Sequence, residues 1–335
     1  MSEERNHKNV VLLVVDTLRA KNLPCYGYEK DTAPFLSKMA EKGVKLENYY
    51  STSPWTVPAH ASLFTGELPS EHGSTTQNMY FNGRNKLVEE LSRQGYNTYG
   101  ISENELLNPN LGFGLDFDNF YPTPVLSDAE TWNEVWEKDG AYDNRKEKWL
   151  DFGKKTALRG DLNSLKSFVK HLDRKFLKSE DYNPQGSQYS IKKAQKLLNR
   201  EENSFLFLNL MPVHKDYTFN EEQREIFLSD ISEEKISEVT SFESLPDYLK
   251  SGGYSAEKLE ILESAYDASI RYTDELIKNL VKNAPKDTLF LVIGDHGELF
   301  GEYEMEEIHL IDHHYGTYKE LIQVPAIIFS KDREL

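Results

Sequence analysis

Residues 10–15 read Val-Val-Leu-Leu-Val-Val and stop at Asp16. A run apolar at every position predicts a strand covered on both faces, and six residues are far too few to cross a bilayer. The same pattern returns at 206–210, shortly before His214, and at 289–293, which leads straight into Asp295 and His296. Further strands are predicted at 44–50, 97–101 and 324–329. Between them the spacing becomes helical. One helix is predicted at 34–42, capped by Thr32 and closed by Gly43, and another at 86–94, closed by Gly95. A third covers 255–282, with Leu259, Leu262, Ala265, Ile270, Leu276 and Leu280 on one face. Strands alternating with helices predict an α/β fold: a mostly parallel central sheet with helices on both faces. Open sheets of this kind gather ligands at the carboxyl ends of their strands, where Asp16 and Asp295 both fall.

The chain reads as a single catalytic domain over residues 1–335, with two insertions that break the alternation. The first, at about 122–200, is charged, carries Trp132, Trp136 and Trp149, and has helical patches around 162–176 and 191–198. The second, at about 216–254, is acidic and has no clear period. Both are expected to lie over the carboxyl edge of the sheet and shape access to it. The three tryptophans are expected to pin the first insertion to the domain.

A short helix is also predicted to begin near Thr56 in Ser53-Pro54-Trp55-Thr56-Val57-Pro58-Ala59-His60, ending at Gly66. Its first N–H groups lack intrahelical partners and favour an anion. A hydroxyl placed there can act as a nucleophile, or it can serve simply as a helix cap. Asp16 and Asp295 likewise suit either metal ligation or capping.

The set Asp16-Thr17-Leu18-Arg19, Tyr26-Gly27-Tyr28, Thr32-Ala33-Pro34, Thr56-Val57-Pro58-Ala59-His60, Gly66 with Pro69 and His72-Gly73, Asp295-His296-Gly297-Glu298 and Val324-Pro325 resembles the sulfatase family of the alkaline-phosphatase superfamily. The similarity runs from about residue 9 to 329. It implies an alkaline-phosphatase-like fold and an ester hydrolase that forms a covalent intermediate. By the same resemblance, Asp16, Asp295, His296 and the Thr56 oxygen would hold one divalent metal ion. His214 and His314, with His313 as the rival of the latter, would bind the anion and protonate the leaving oxygen, and Asn104 would donate to the anion. Arg19 is expected to support the Asp16 loop, and His72-Gly73 to shape a turn. The family usually continues into a smaller carboxyl-terminal subdomain, whereas this sequence stops soon after Val324-Pro325.

Three departures bear on substrate. Sulfatases resemble this run but carry Cys or Ser, converted to formylglycine, where this chain has Thr56. They carry Arg where it has His60, which therefore joins Thr56, His214 and His314 among the catalytic candidates. Their second Asp is here Thr17, which lowers the oxygen count expected for calcium. Phosphodiesters or phosphonates are thus expected to be favoured over sulfate esters. Manganese or zinc is favoured as the metal, with calcium or magnesium as alternatives. Two rival readings are a phosphoryl-group transferase using an alcohol acceptor, and a non-catalytic sulfatase-like binding protein. The second is motivated by the missing subdomain and by Glu103 and Glu105.

Composition adds limits. The net charge of −17 repels polyanions, so nucleic acid is not an expected partner, and a small anionic ester needs local compensation by metal and histidines. The single Cys25 rules out an internal disulfide and fits a reducing compartment. With no leader-like start and no long apolar run, the expectation is a cytoplasmic protein without membrane insertion. No pattern sets an oligomeric state.

Overall fold

The structure, a computed structural model, describes residues 7–81, 83–122, 186–200, 202–241, 248, 252–313 and 316–332. Its centre is a seven-stranded sheet in the order β2 (Val44–Lys45), β9 (Ala326–Ser330), β6 (Thr288–Gly294), β1 (Asn9–Val15), β5 (Ser204–Leu210), β3 (Asn97–Ser102), β4 (Asn119–Pro122). Strands β6, β1, β5, β3 and β4 run parallel, and at one edge β9 pairs antiparallel with both β6 and β2. A separate hairpin joins β7 (Leu299–Met305) to β8 (Ile308–Asp312).

The central strands are apolar throughout because each of their faces meets helices. On β1, Val11, Leu13 and Val15 join one core while Leu12 and Val14 join the other. On β5, Leu206, Leu208 and Leu210 face the first core and Phe205 and Phe207 the second. The first core is completed by α1 (Pro34–Lys42) through Leu36 and Met39. The second is completed by α2 (Thr56–Thr65), through Val57, Ala61 and Phe64. After the short α3 (Pro69–His72), α4 (Lys86–Arg93) adds Val88 to this second side. The helices α5 (Ser187–Leu198), α6 (Glu221–Phe227), α7 (Glu233–Thr240) and α8 (Ala256–Asn283) gather on the first side, around Ile191, Leu228, Val239 and Ala265.

Several local expectations change. Thr32 does not cap α1, because its hydroxyl donates to the Asn22 carbonyl. The first N–H groups of α1 instead reach Asp274 on α8: Phe35 donates at 2.9 Å and Leu36 at 2.7 Å. The strand expected at 44–50 shrinks to two residues plus a bridge from Tyr50 to Gln323, since polar Glu47 and Asn48 break the apolar alternation. The last strand starts at Ala326, one residue past Pro325, which has no N–H for a ladder. The acidic 216–254 stretch contains α6 and α7, whose ends are capped by Asn220 and Ser232. The patch at 191–198 is the body of α5, whereas Trp132, Trp136, Trp149 and the patch at 162–176 lie outside the described residues. No helix among the described residues is long and apolar enough to cross a membrane.

Asp274 makes α1 dependent on a residue far away in the chain. Asp274→Ala should cost about 1–2 kcal/mol in denaturant unfolding, the usual range for a lost cap. Burial raises the Asp274 carboxyl from 3.8 to about 6, against the opposing pull of the two amides. The folded state therefore binds the extra proton, and wild-type stability should fall as pH rises from about 4 to 6. The gap between wild type and Asp274→Ala should accordingly widen as pH is lowered through that window. A gap that narrows would show that Asp274 is not held as the structure places it.

Candidate active site

Strands β1 and β6 are neighbours with Val15 opposite Gly294, so Asp16 and Asp295 leave the sheet side by side. His296 follows, and one ligand atom from each of these three residues lies within 4.8 Å of the others. Two glycines let the backbones come this close. A Cβ on Gly294 would sit 2.5 Å from the Leu18 carbonyl oxygen, and one on Gly297 would sit 2.0 Å from that of Glu320.

Thr56 is the first residue of α2, and Trp55 rather than Thr56 holds the cap position. Its hydroxyl is turned into the site, 3.3 Å from His296 Nε2, and accepts from Asn104 Nδ2 at 3.2 Å. The same amide donates to Asp16 Oδ2 at 2.8 Å. Asn104 thus ties the hydroxyl to a carboxylate, and its own N–H is fixed on Asn209 Oδ1 at 3.1 Å. One turn along α2, His60 Nδ1 donates to the Thr56 carbonyl at 2.9 Å and lies 3.6 Å from Asp295 Oδ2. Its ring packs edge-on against Phe207, which makes it a buried support beneath Thr56.

The donor set fits a cation. Asp295 Oδ1 accepts from the N–H groups of Thr17 and His296, and Asp16 Oδ2 from Asn104. The other oxygen of each, Asp295 Oδ2 and Asp16 Oδ1, is buried without a hydrogen-bond partner, and each lies 3.5 Å from His296 Nε2. His296 Nδ1 donates to the Gly297 carbonyl at 3.0 Å, which leaves Nε2 with its lone pair exposed to the same point. Burial, and then the charge of Asp16, pushes Asp295 well above the ordinary carboxylate range. Asp16 is opposed by burial too, yet His296, His214 and the Asn104 amide hold it below that range. Burial, reinforced by His313, keeps His296 well below its usual value, and burial lowers His60 as well. Both imidazoles are therefore neutral.

A second group of side chains adjoins this one. The His313 ring lies 4.6 Å from that of His296 and 5.4 Å from that of His214, centroid to centroid. Burial disfavours a charge on His313, but Glu298 and Asp312 outweigh it and hold the imidazolium well above the usual histidine range. His214 and His313 are thus brought to the site, while His314 lies outside the described residues. His309 belongs to the hairpin, bonded to the Gly301 carbonyl. Glu103 accepts from Ser187 and the Met211 N–H and pins α5 to the sheet edge. Arg19 is fully buried and pairs with Glu302, and His72 bonds Ser62 at 3.0 Å beside the Gly73 turn. Glu298 stands in the Asp295-His296-Gly297-Glu298 motif without a role of its own, and Tyr266 has no sequence signal. Tyr266, whose hydroxyl donates to the Thr17 carbonyl, sits in a helical pattern indistinguishable from core.

A family model described as Sulfatase matches residues 8–335. The N-acetylglucosamine-6-O-sulfatase of Bacteroides thetaiotaomicron is 28% identical over 112 residues, 33% of this chain and 20% of that protein. Among solved structures, the phosphonate monoester hydrolase of Agrobacterium radiobacter superposes with a TM-score of 0.63 at 17% identity, over 97% of this chain and 68% of that one. The lipooligosaccharide phosphoethanolamine transferase A of Neisseria meningitidis gives 0.58 at 15% identity, over 99% and 49%. The chain therefore shares its fold with these proteins and spans only a part of most of them.

If the orphaned oxygens of Asp16 and Asp295 converge on a cation, removing it should loosen the fold. Thermal unfolding after chelation should occur at a lower temperature, and a divalent metal at a hundred times its Kd should restore about 2.7 kcal/mol. Asp295→Asn should abolish most of that response. A melting temperature indifferent to both chelator and metal would end the metal reading.

Proposed function

Because the chain belongs to the sulfatase family, we propose that it is a metal-dependent esterase whose Thr56 hydroxyl attacks phosphorus. The observation carrying this reading is the place of Thr56 Oγ1, between Asn104 Nδ2 and His296 Nε2 at the start of α2. Asp16, Asp295, His296 and Thr56 would hold the metal. Once bound, a divalent cation supplies Lewis-acid stabilisation of negative charge on oxygen. Two carboxylates, an imidazole and a hydroxyl suit manganese or zinc better than calcium. Thr17, standing where a further carboxylate ligand is expected, has its hydroxyl on the Asp16 and Val213 carbonyls, at 2.7 and 2.9 Å.

The chain's own residues then divide the work. Asn104 fixes the hydroxyl by donating to it, and the start of α2 favours the developing negative charge, typically by less than about 2 kcal/mol. The Thr56 hydroxyl gives up its proton and Oγ1 forms a bond to phosphorus as the bond to the leaving oxygen breaks; that oxygen takes up a proton, giving a phosphorylated threonine and an alcohol. His313 and His214, whose rings adjoin each other beside His296, would supply the proton for the leaving oxygen. Water, or a second alcohol, then attacks the same phosphorus and returns the Thr56 hydroxyl. An unmodified threonine cannot supply the aldehyde hydrate of formylglycine, and this favours phosphodiesters or phosphonates over sulfate esters.

Thr56→Ala should remove nearly all turnover on aryl phosphodiester and phosphonate substrates, while Thr56→Ser keeps a part, having lost only the methyl that restricts the rotamer. Unfolding free energy should change little, since the Thr56 hydroxyl caps nothing. Full activity in Thr56→Ala would shift the attack to another group, and a preference of the wild type for sulfate esters would overturn the phosphorus assignment. Adding an acceptor alcohol and analysing products separates hydrolysis from transfer.

His313→Ala should lower turnover by about 10²–10⁴-fold, the range for a lost proton donor, and His214→Ala should act in the same direction. Wild-type turnover in His313→Ala together with a loss in His314→Ala would move the assignment by one residue.

A further inference from the structure

Asn209, the penultimate residue of β5, lies between the two strands that lead to Asp16 and Asn104. It is level with Val14 of β1 on one side and with Ser102 of β3 on the other, each two residues before the site residue of its strand. The two N–H groups that follow Ser102 both end on it. Glu103 donates to the Asn209 carbonyl at 3.3 Å, and Asn104 donates to Asn209 Oδ1 at 3.1 Å. The side chain thus supplies one more rung where the ladder itself runs out. Beyond that rung the chain turns: Leu106 donates to Asn104 Oδ1 at 2.9 Å, and Leu107 to the Asn104 carbonyl at 3.1 Å. With Oδ1 held there, Nδ2 is the group left to face Asp16 and Thr56.

Stability alone does not account for an asparagine here. Asn209 is fully buried, on the face of β5 that also carries Phe205 and Phe207, and its Nδ2 has no hydrogen-bond partner. A buried donor left unpaired is a cost that an apolar side chain would avoid. We propose that Asn209 is a positioning residue for the reaction: its Oδ1 anchors the Asn104 backbone, so that one amide nitrogen reaches Asp16 Oδ2 and Thr56 Oγ1 together. Its effect on Thr56 passes through Asn104. This role rests on the reading of Thr56 as the attacking group.

A double-mutant cycle on an aryl phosphodiester, in the metal-loaded full chain, tests it. Asn209→Leu should lower kcat by about 10–100-fold, the range for a lost outer contact of such a site. KM should stay unchanged, because the lost interaction serves the transition state. In an Asn104→Ala background the same substitution should have no further effect, since the group it positions is gone. Wild-type kcat in Asn209→Leu, or losses that multiply in the double variant, would overturn this role; a merely structural defect multiplies in that way. The crystal structure of Asn209→Leu gives a reading that needs no turnover. Asn104 Nδ2 should no longer reach both Asp16 Oδ2 and Thr56 Oγ1, and an unmoved Asn104 refutes the anchor. Asn209→Ala, which withdraws the acceptor without adding apolar bulk, replaces Asn209→Leu should that variant not fold. Full turnover in Thr56→Ala would sink the nucleophile assignment instead, and a displaced Asn104 would still support Asn209 as its anchor.

Discussion

Two buried carboxylates are forced together by strand register, and the site is organised around that cost. Because Val15 pairs with Gly294 in a parallel ladder, Asp16 and Asp295 emerge at the same height with no freedom to separate. Two unit charges within 4.8 Å repel by roughly 3–4 kcal/mol at an effective dielectric near 20, before any desolvation. The sheet therefore builds a place for positive charge. The neutral imidazoles of His296 and His60, the Asn104 amide and the start of α2 all face the same point, and none neutralises both carboxylates.

Holding that arrangement requires strain and close packing nearby. Thr17 is a β-branched residue at φ 58°, a conformation that costs on the order of 1–3 kcal/mol. It is kept there by its N–H on Asp295, its hydroxyl on the Val213 carbonyl and its own carbonyl on Tyr266. Tyr266 also accepts from the Arg19 N–H, so one phenol from α8 clamps both ends of the turn after Asp16. The Arg19 guanidinium, although only three residues from Asp16, pairs with Glu302 instead of the site. Burial alone would raise the Glu302 carboxyl, but Arg19 holds it down to about 2. Its charge serves to lock the hairpin against the loop rather than to attract an anion.

The parts of this structure legible in the sequence are those written in local pattern. Strands β1, β5 and β6 were visible because burial on both faces makes every position apolar, and Asp16, Asp295 and His296 stood out by following them. Contacts made across the chain left no local trace. The cap of α1 comes from Asp274, 238 residues from Leu36, whereas a Thr at the right local spacing bonds elsewhere. Asn104 could be picked as a polar residue after a strand, but its partners Asp16 and Thr56 lie 88 and 48 residues away, so its hold on the hydroxyl could not be read. The placing of His313 beside His296 and His214 depends on the end of β8. There Asp312 adopts a left-handed conformation and redirects the chain, and such a turn at a non-glycine residue leaves no signal in the pattern of apolar positions.

The Thr56 hydroxyl shows how these constraints act together. Asn104 can only donate to Oγ1 through its amide, which directs the hydroxyl proton away from Asn104. His296 Nδ1 gives its proton to the Gly297 carbonyl, so Nε2, 3.3 Å from Oγ1, is an acceptor. That same Nε2 lone pair faces the orphaned oxygens of Asp16 and Asp295. His296 cannot serve both purposes. Engaged with a cation, it no longer accepts the Thr56 proton, and Oγ1 is left fixed by Asn104 with its proton deprived of its nearest acceptor. The bond from His296 Nδ1 to the Gly297 carbonyl thus couples the tautomer of one ring to the readiness of Thr56 to ionise. A glycine at position 297 is what permits the close approach to the Glu320 carbonyl on which that geometry depends.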